Sequence, residues 1–326
     1  VELEGGEDSF YPGYGRPVNG RLRLSLVEAA YLIHRGKLQV EGLDFQGYLK
    51  KVSVSSGFEI KYLVYRDLRE RGYHVQPGVT DFRVYPRGGG PGKTKAKYLV
   101  HAISERAPLP LSRLEEDLET AGNLKKRFIL ATVDEESDIT YYEIKKADPR
   151  GEGVLPPRKE RATLLEDRVI IWDSLLPYRE GFYGRPLDEN HLQVSLVEAG
   201  YLLKKGLLEL EDTSGRKLDP QEFTVRSSQV EAEFPLKLQV YQDLRERGLT
   251  VKTGFKFGSH FRVYKKAGSK LHSNYLVHAI PPDFTFSLPG LSSSVRLAQS
   301  VHKHMLFAKP EGDEGVKYLE VVRIKP

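Results

Sequence analysis

Cysteine is absent from the 326 residues. This excludes a disulfide scaffold, a thiolate zinc site, an iron–sulfur cluster and a cysteine nucleophile, and leaves histidine and carboxylate metal sites open. No apolar run approaches the roughly 18 to 20 residues that span a bilayer, so neither a membrane helix nor a signal peptide is expected, and the cytoplasm is the expected compartment. Charge of one sign is also scarce: 50 Lys and Arg stand against 45 Asp and Glu, a net of +5. So small an excess permits nucleic-acid binding without requiring it, and the distribution of charge has to decide. At about 150 residues per domain the length implies two domains. With 39 % hydrophobic residues, both can have a core.

Self-similarity is the strongest signal in the chain. Tyr14-Gly-Arg-Pro17 recurs as Tyr183-Gly-Arg-Pro186, and Ser25-Leu-Val-Glu-Ala29 as Ser195-Leu-Val-Glu-Ala199. Asp67-Leu-Arg-Glu-Arg-Gly72 returns at Asp243 to Gly248, Phe82-Arg-Val-Tyr85 at Phe261 to Tyr264, and Tyr98-Leu-Val-His-Ala-Ile103 at Tyr275 to Ile280. The landmarks keep their order and the offset drifts only between 169 and 179 residues, so each half is one folding unit separated from its copy by small loop changes. We expect a first repeat over residues 1–146, a linker over 147–167 and a second repeat over 168–326. The linker is marked by Pro149, Gly151, Gly153, Pro156, Pro157 and the charge run Arg158 to Arg161.

Each unit reads as mixed α/β, with a small helical N-terminal part. Ser25 with Glu28, and Ser195 with Glu198, have the spacing of a capping box, and Gly36 or Gly206 closes the helix. A second helix ends at the glycine of Asp-Leu-Arg-Glu-Arg-Gly. Short aromatic and β-branched strands follow at Phe261–Tyr264, Tyr275–Ile280 and Val316–Ile324. Between the last two, Val295, Ala298, Val301 and Met305 have helical spacing, which predicts a helix from Ser293 to Met305 with Arg296, Ser300 and Lys303 on one face.

Duplication supplies an internal control, because polar residues kept in one half only need an explanation beyond the fold. The second half has the glycine-rich turn Thr253 to His260 where the first has the shorter Pro77 to Asp81. It has His272, Arg296 and Arg323 where the first has Lys95, Glu119 and Lys146, while Tyr85 and Lys126 remain opposite Tyr264 and Lys303. Only the second half retains the full polar set.

The series Tyr241-Gln-Asp-Leu-Arg-Glu-Arg-Gly248, Val251 to Gly258, Phe261-Arg-Val-Tyr264, His272-Ser-Asn-Tyr-Leu-Val277 and Val295 to Lys303 resembles the archaeal tRNA-splicing endonucleases in their fused two-repeat form. The resemblance covers almost the whole chain and implies an α/β nuclease-like C-terminal part in each repeat. It places the family's catalytic trio on Tyr264, His272 and Lys303, and its RNA-gripping arginines on Arg296 and Arg323. It further implies cleavage of precursor tRNA at bulge-helix-bulge motifs, with 2′,3′-cyclic phosphate and 5′-OH ends. By the same likeness the acidic loop of Asp134, Glu135, Glu136 and Asp138 docks into a partner's catalytic unit. One chain has one complete set and the RNA motif has two cleavage sites, so a homodimer is expected.

The residue types suit that chemistry. Metal-free RNA cleavage needs a base for the 2′-OH, an acid for the departing 5′-oxygen and a cation for the phosphorane. An imidazole can be charged and ready to donate near neutral pH, whereas a phenol serves as a base only if a cation favours its anion. No cofactor, metal or membrane partner is expected. His260, present in one half only, is a second candidate for the acid, while His101 and His278, shared by both halves, read as structural. His302 and His304 read as solvated charges at a helix end. Glu59-Ile-Lys61 and Glu143-Ile-Lys145 fit a fragment of metal-dependent nucleases, but Glu59 faces Pro235 in the other half. The alternative to an enzyme is a non-catalytic RNA-binding subunit of a splicing endonuclease.

Overall fold

A computed structural model of the chain describes residues 2–4, 13–55, 57–153, 158–266 and 272–326. Pro156 and Pro157 of the expected linker lie outside the described residues. The chain forms two units. One contains the residues up to Lys145 with Thr285–Ser292 and Val322–Pro326, and the other contains Lys146–Phe284 with Ser293–Val321.

In the first unit the helix Leu26–His34 begins at a complete capping box, Ser25 and Glu28 each satisfying the other's backbone N–H. The helix Phe58–Glu70 follows, and the chain turns at Gly72 with φ of 86°. Antiparallel strands Val75–Pro77 and Phe82–Val84 then lead to Tyr98–Ser104, which pairs in parallel with Arg127–Val133 across the connecting helix Leu111–Asn123. A parallel pair needs such a crossover.

The second unit repeats this plan. The helix Leu196–Lys204 has the same capping box, Phe234–Glu246 the same length as its counterpart, and Gly248 the same positive φ. Its larger sheet runs in the order Thr250–Thr253, Phe261–Tyr264, Tyr275–Ala279, His304–Pro310, Val316–Ile324. Tyr275–Ala279 and His304–Pro310 are the parallel pair, and the helix Leu288–Ser300 lies in the connection between them.

The N-terminal part of the second unit is richer in strands than a helical reading conveys. Six short strands form a sheet there, among them Glu160–Leu164, Val169–Ile171 and Leu208–Glu211. Glu160–Leu164 falls inside the stretch read as a surface connection. It alternates buried Glu160, Ala162 and Leu164 with outward Arg161 and Thr163, which is the period of a half-buried strand.

Two devices join the N-terminal helix to the larger sheet in the second unit, and the first of them is repeated in the first unit. The first is an aromatic ladder: ring centroids run Tyr183–Tyr201 at 6.4 Å, Tyr201–Tyr241 at 5.7 Å and Tyr241–Phe261 at 5.9 Å. Tyr14–Tyr31, Tyr31–Tyr65 and Tyr65–Phe82 repeat it at 6.2, 5.8 and 5.7 Å. The ladder ends in both units on the first residue of the Phe-Arg-Val-Tyr strand.

The second device is a buried carboxylate. Glu198 accepts hydrogen bonds from the N–H groups of Ser195 (2.9 Å) and Gly184 (2.9 Å) and from Lys252 Nζ (3.0 Å). Lys252 is further bound to the carbonyls of Gly184 and Phe182. Gly184 sits at φ of 61°, and a Cβ there would lie 2.4 Å from the Gln193 carbonyl oxygen, so the Tyr-Gly-Arg-Pro motif requires glycine. Arg245 stacks 3.9 Å over the Tyr183 ring and donates to the Gly181 carbonyl, linking the Asp-Leu-Arg-Glu-Arg-Gly helix to the same turn. Asp243 in that helix accepts from the Tyr318 hydroxyl at 2.6 Å, as Asp67 does from Tyr141.

Burial pushes the Glu198 carboxyl up, but Lys252 and the N–H donors outweigh it and hold the group below its ordinary 4.5. Its folded pKa is depressed, so its contribution is complete above about pH 4.5 and is lost as pH falls through the folded value. Glu198→Ala leaves Lys252 buried without its partner and is expected to cost about 3–5 kcal/mol at neutral pH. Thermal and denaturant unfolding of wild type and variant should show this gap narrowing in acid; a neutral-pH loss below about 1 kcal/mol contradicts the assignment.

Candidate active site

Tyr264 is the last residue of its strand, 7 % exposed, with its ring edge-on to Phe182 at 6.2 Å. The neighbouring strand sets the distance to the other candidates. Asn274, the residue before Tyr275–Ala279, donates its N–H to the Val263 carbonyl at 2.8 Å, and its own carbonyl accepts from His304 N–H at 3.0 Å. The backbone at Asn274 is thus held between Tyr264 on one side and Lys303 on the other. His272 lies two residues before Asn274 and is exposed. Tyr264, His272 and Lys303 therefore sit at one end of three adjacent strands. The first unit has the same backbone frame, with Lys97 N–H donating to the Val84 carbonyl and Arg127 N–H to the Lys97 carbonyl.

The hydroxyls of the two equivalent tyrosines differ. In the first unit Tyr85 donates to Gln76 Oε1 at 3.1 Å. The residue in Gln76's place in the second unit is Lys252, which is turned to Glu198 and the Gly184 and Phe182 carbonyls. Among the described residues nothing bonds the Tyr264 hydroxyl in the unit that has His272, whereas the equivalent hydroxyl is occupied in the unit that has Lys95.

Lys303 does not lie on the helix with Arg296, as the spacing predicts. The helix ends at Ser300, His302 takes the left-handed conformation with φ of 55°, and Lys303 N–H caps the Ala298 carbonyl at 2.8 Å before the strand begins at His304. Val301 and Met305 keep helical spacing by coincidence, since Met305 is buried from the strand. Lys125 and Lys126 make the same turn in the first unit, with φ of 52° at Lys125. The turn places the Lys303 ammonium 5.8 Å over the Phe257 ring and within 3.3 Å of the Val301 carbonyl.

Arg296 is exposed on the helix, and Ser300 uses its hydroxyl on the Leu297 carbonyl at 2.8 Å. Arg323 is exposed near the end of Val316–Ile324, in the stretch that counts with the first unit. The second unit by itself thus holds the trio, Arg296 and Ser300, but not Arg323.

The other histidines separate cleanly. His304 is exposed but lies on a strand, bound to Glu320 at 2.6 Å, and not at the helix end, because the chain has already turned at His302. His260 accepts the Ala279 N–H on Nδ1 at 3.0 Å, which requires a neutral ring, and burial together with Lys237 and His278 pushes its pKa down to about 4. A ring held neutral as an acceptor is a poor proton donor, so the geometry favours His272 over His260 as the acid. His278 stacks on Phe307 at 5.7 Å and His101 is bound to Asp117 at 2.6 Å, both as structural side chains.

The acidic loop joins the strands Arg127–Val133 and Ile139–Ala147. Asp134 accepts the N–H groups of Glu136 and Asp138 at 3.0 and 2.8 Å, and Glu135 pairs with Arg106. Glu136 and Asp138 are exposed. Glu143 of the second nuclease-like fragment is bound to Arg127 at 2.6 Å. Phe257 and the Gln76/Lys252 difference were not singled out in the sequence. Both lie in or beside the glycine-rich turn that only the second half has, which was their signal.

The second copy of a duplicated α/β fold thus brings a phenol, an imidazole and an ammonium to one set of strand ends. Comparison with known proteins shows the family. The description of the tRNA intron endonuclease catalytic C-terminal domain matches residues 58–141 and again 234–318, and that of the tRNA intron endonuclease N-terminal domain matches 8–49 and 161–224. Relatives named tRNA-splicing endonuclease include one from Methanococcoides burtonii, 50 % identical over 96 % of this chain and 93 % of its own length. Those from Methanosarcina barkeri and Halobacterium salinarum are 49 % and 40 % identical, covering 100 % and 96 % of this chain and 97 % and 93 % of their own. The chain belongs to the tRNA intron endonuclease family. Membership supports an enzyme of tRNA intron excision, with tRNA as its substrate class. Among the described residues no helix is long and apolar enough to cross a membrane.

Proposed function

We propose that the second repeat, residues 168–326, is the catalytic one, and that it cuts precursor tRNA at bulge-helix-bulge motifs without a metal. The observation that carries this is the gathering of Tyr264, His272 and Lys303 at one end of three adjacent strands, with the Tyr264 hydroxyl open where that of Tyr85 is occupied. Tyr264 takes the proton of the 2′-OH, whose oxygen attacks the adjacent phosphorus. The bond to the 5′-oxygen breaks as His272 gives that oxygen its proton, leaving a 2′,3′-cyclic phosphate and a 5′-OH. Lys303 holds the charge that develops on the phosphorane.

Arg296 and Arg323 grip the RNA, and their planar guanidinium groups suit stacking on an extruded bulge base in a way lysine does not. Ser300 lies on the same helix as Arg296 and belongs to this RNA-facing surface. The first repeat, 1–146, is the structural one, and its exposed Glu136 and Asp138 present negative charge for docking onto the basic site of a second copy. Two copies then supply the two active sites that a two-fold bulge-helix-bulge requires.

His272→Ala is expected to lower cleavage by about 10²- to 10⁴-fold while leaving RNA affinity unchanged, measured by single-turnover assay and filter binding on the same RNA. A normal cleavage rate in that variant overturns the acid assignment. Sedimentation at assay concentration is expected to give a dimer; a monomer with full activity contradicts the paired arrangement.

A further inference from the structure

Among the described residues, the segment that carries Tyr264 and the segment that carries His272 are joined by one side-chain hydrogen bond outside the backbone ladder. Asn274 Oδ1 accepts the N–H of Lys265, the residue directly after Tyr264, at 3.0 Å. An N–H donor fixes which end of the carboxamide faces it, so the oxygen is the contacting atom. The carbonyl of the same Lys265 is held from the other side, where Glu152 N–H donates to it at 2.8 Å and the Glu152 carboxylate pairs with Lys266 at 3.0 Å. Glu152 is seated by its neighbours: Gly151 N–H donates to the Arg247 carbonyl at 3.0 Å and Gly153 N–H to the Gly248 carbonyl at 2.5 Å. A Cβ on Gly151 would lie 2.4 Å from the Gly248 oxygen and 2.8 Å from the Lys265 oxygen, so the approach requires glycine.

The first unit lacks this clamp at both ends. Opposite Lys265 stands Pro86, which has no N–H to give, and opposite Asn274 stands Lys97, whose side chain has no acceptor. The Pro86 carbonyl is taken by Gly89 of its own loop at 2.9 Å. Donor and acceptor are therefore missing together in the unit where Lys95 replaces His272, although the backbone frame at Lys97 is otherwise the same. A bond needed only for the fold has no reason to follow the histidine.

We infer that Asn274 is a positioning residue of the reaction. Through Lys265 it fixes the spacing between the Tyr264 phenol and the His272 imidazole, and the connecting segment Gly151–Gly153 locks Lys265 from the other side. This rests on the reading of Tyr264 and His272 as base and acid. Asn274 itself has no proton to move and touches no reacting atom. A misplacement of about 1 Å between such groups can slow a reaction about 100-fold.

The test is single-turnover cleavage of a bulge-helix-bulge RNA by the full chain at saturating protein, with RNA affinity and melting temperature measured alongside. Asn274→Ala is expected to cleave about 10- to 100-fold more slowly with affinity and melting temperature unchanged. Asn274→Asp keeps the acceptor and is expected to recover most of the rate. Gly151→Ala, which pushes the connecting segment away from Lys265, is expected to slow the same step. A wild-type rate in Asn274→Ala overturns the inference, as does a loss that appears as weaker RNA binding or a lower melting temperature, or that Asp fails to recover. His272→Ala in parallel separates the two levels. If it is inactive while Asn274→Ala is normal, only the positioning role falls; if it is fully active, the acid–base reading beneath falls.

Discussion

The second unit depends on one buried charge, the carboxylate of Glu198. It closes the capping box of its own helix, takes the N–H of Gly184 in the Tyr-Gly-Arg-Pro turn and holds Lys252 from the strand beside the Phe261–Tyr264 strand. Three separate stretches of chain meet at one largely buried group, and an unpaired charge there is costly. The same pair has a chemical consequence. Lys252, committed to Glu198, does not bond the Tyr264 hydroxyl, whereas Gln76 in the first unit bonds Tyr85. A contact that stabilises the fold also leaves the phenol open.

The two units show how little has to change for one fold to carry two roles. The aromatic ladder, the capping box, the Asp–Tyr tie of Asp67 with Tyr141 and Asp243 with Tyr318, and the left-handed turn before the fourth strand of the larger sheet are present in both. Three of the differences lie together at one end of the sheet, His272 for Lys95, Lys265 for Pro86 and Asn274 for Lys97, and Lys252 replaces Gln76 in the neighbouring strand. The first unit keeps its backbone, but there the tyrosine hydroxyl is bonded to Gln76 and neither the histidine nor the Lys265–Asn274 bond has a counterpart. Its carboxylates at Glu136 and Asp138 remain exposed instead.

Much of this was legible in the sequence because the duplication marks it twice. Ser25 with Glu28, and the glycine of Asp-Leu-Arg-Glu-Arg-Gly, are local signals whose partners lie within a turn or two. The strand-end trio was reached by comparing the halves and by family likeness. The helix before Lys303 was overextended because Val301 and Met305 continue its period, while the left-handed backbone of His302 that ends it leaves no mark in composition. The six-stranded sheet was missed because its strands are two to five residues long, too short for periodicity to speak. The Lys265–Asn274 bond joins residues nine apart, and its only trace in sequence is that Pro86 and Lys97 differ together.

The most direct measurement is cleavage of an end-labelled bulge-helix-bulge RNA by the purified full chain in excess EDTA, with chemical analysis of the product ends. Cuts in both bulges that leave a 2′,3′-cyclic phosphate and a 5′-OH are the predicted result, because a phenol, an imidazole and an ammonium suffice for attack by the neighbouring 2′-OH. Activity abolished by EDTA and restored by a divalent cation, with 5′-phosphate products, would contradict it.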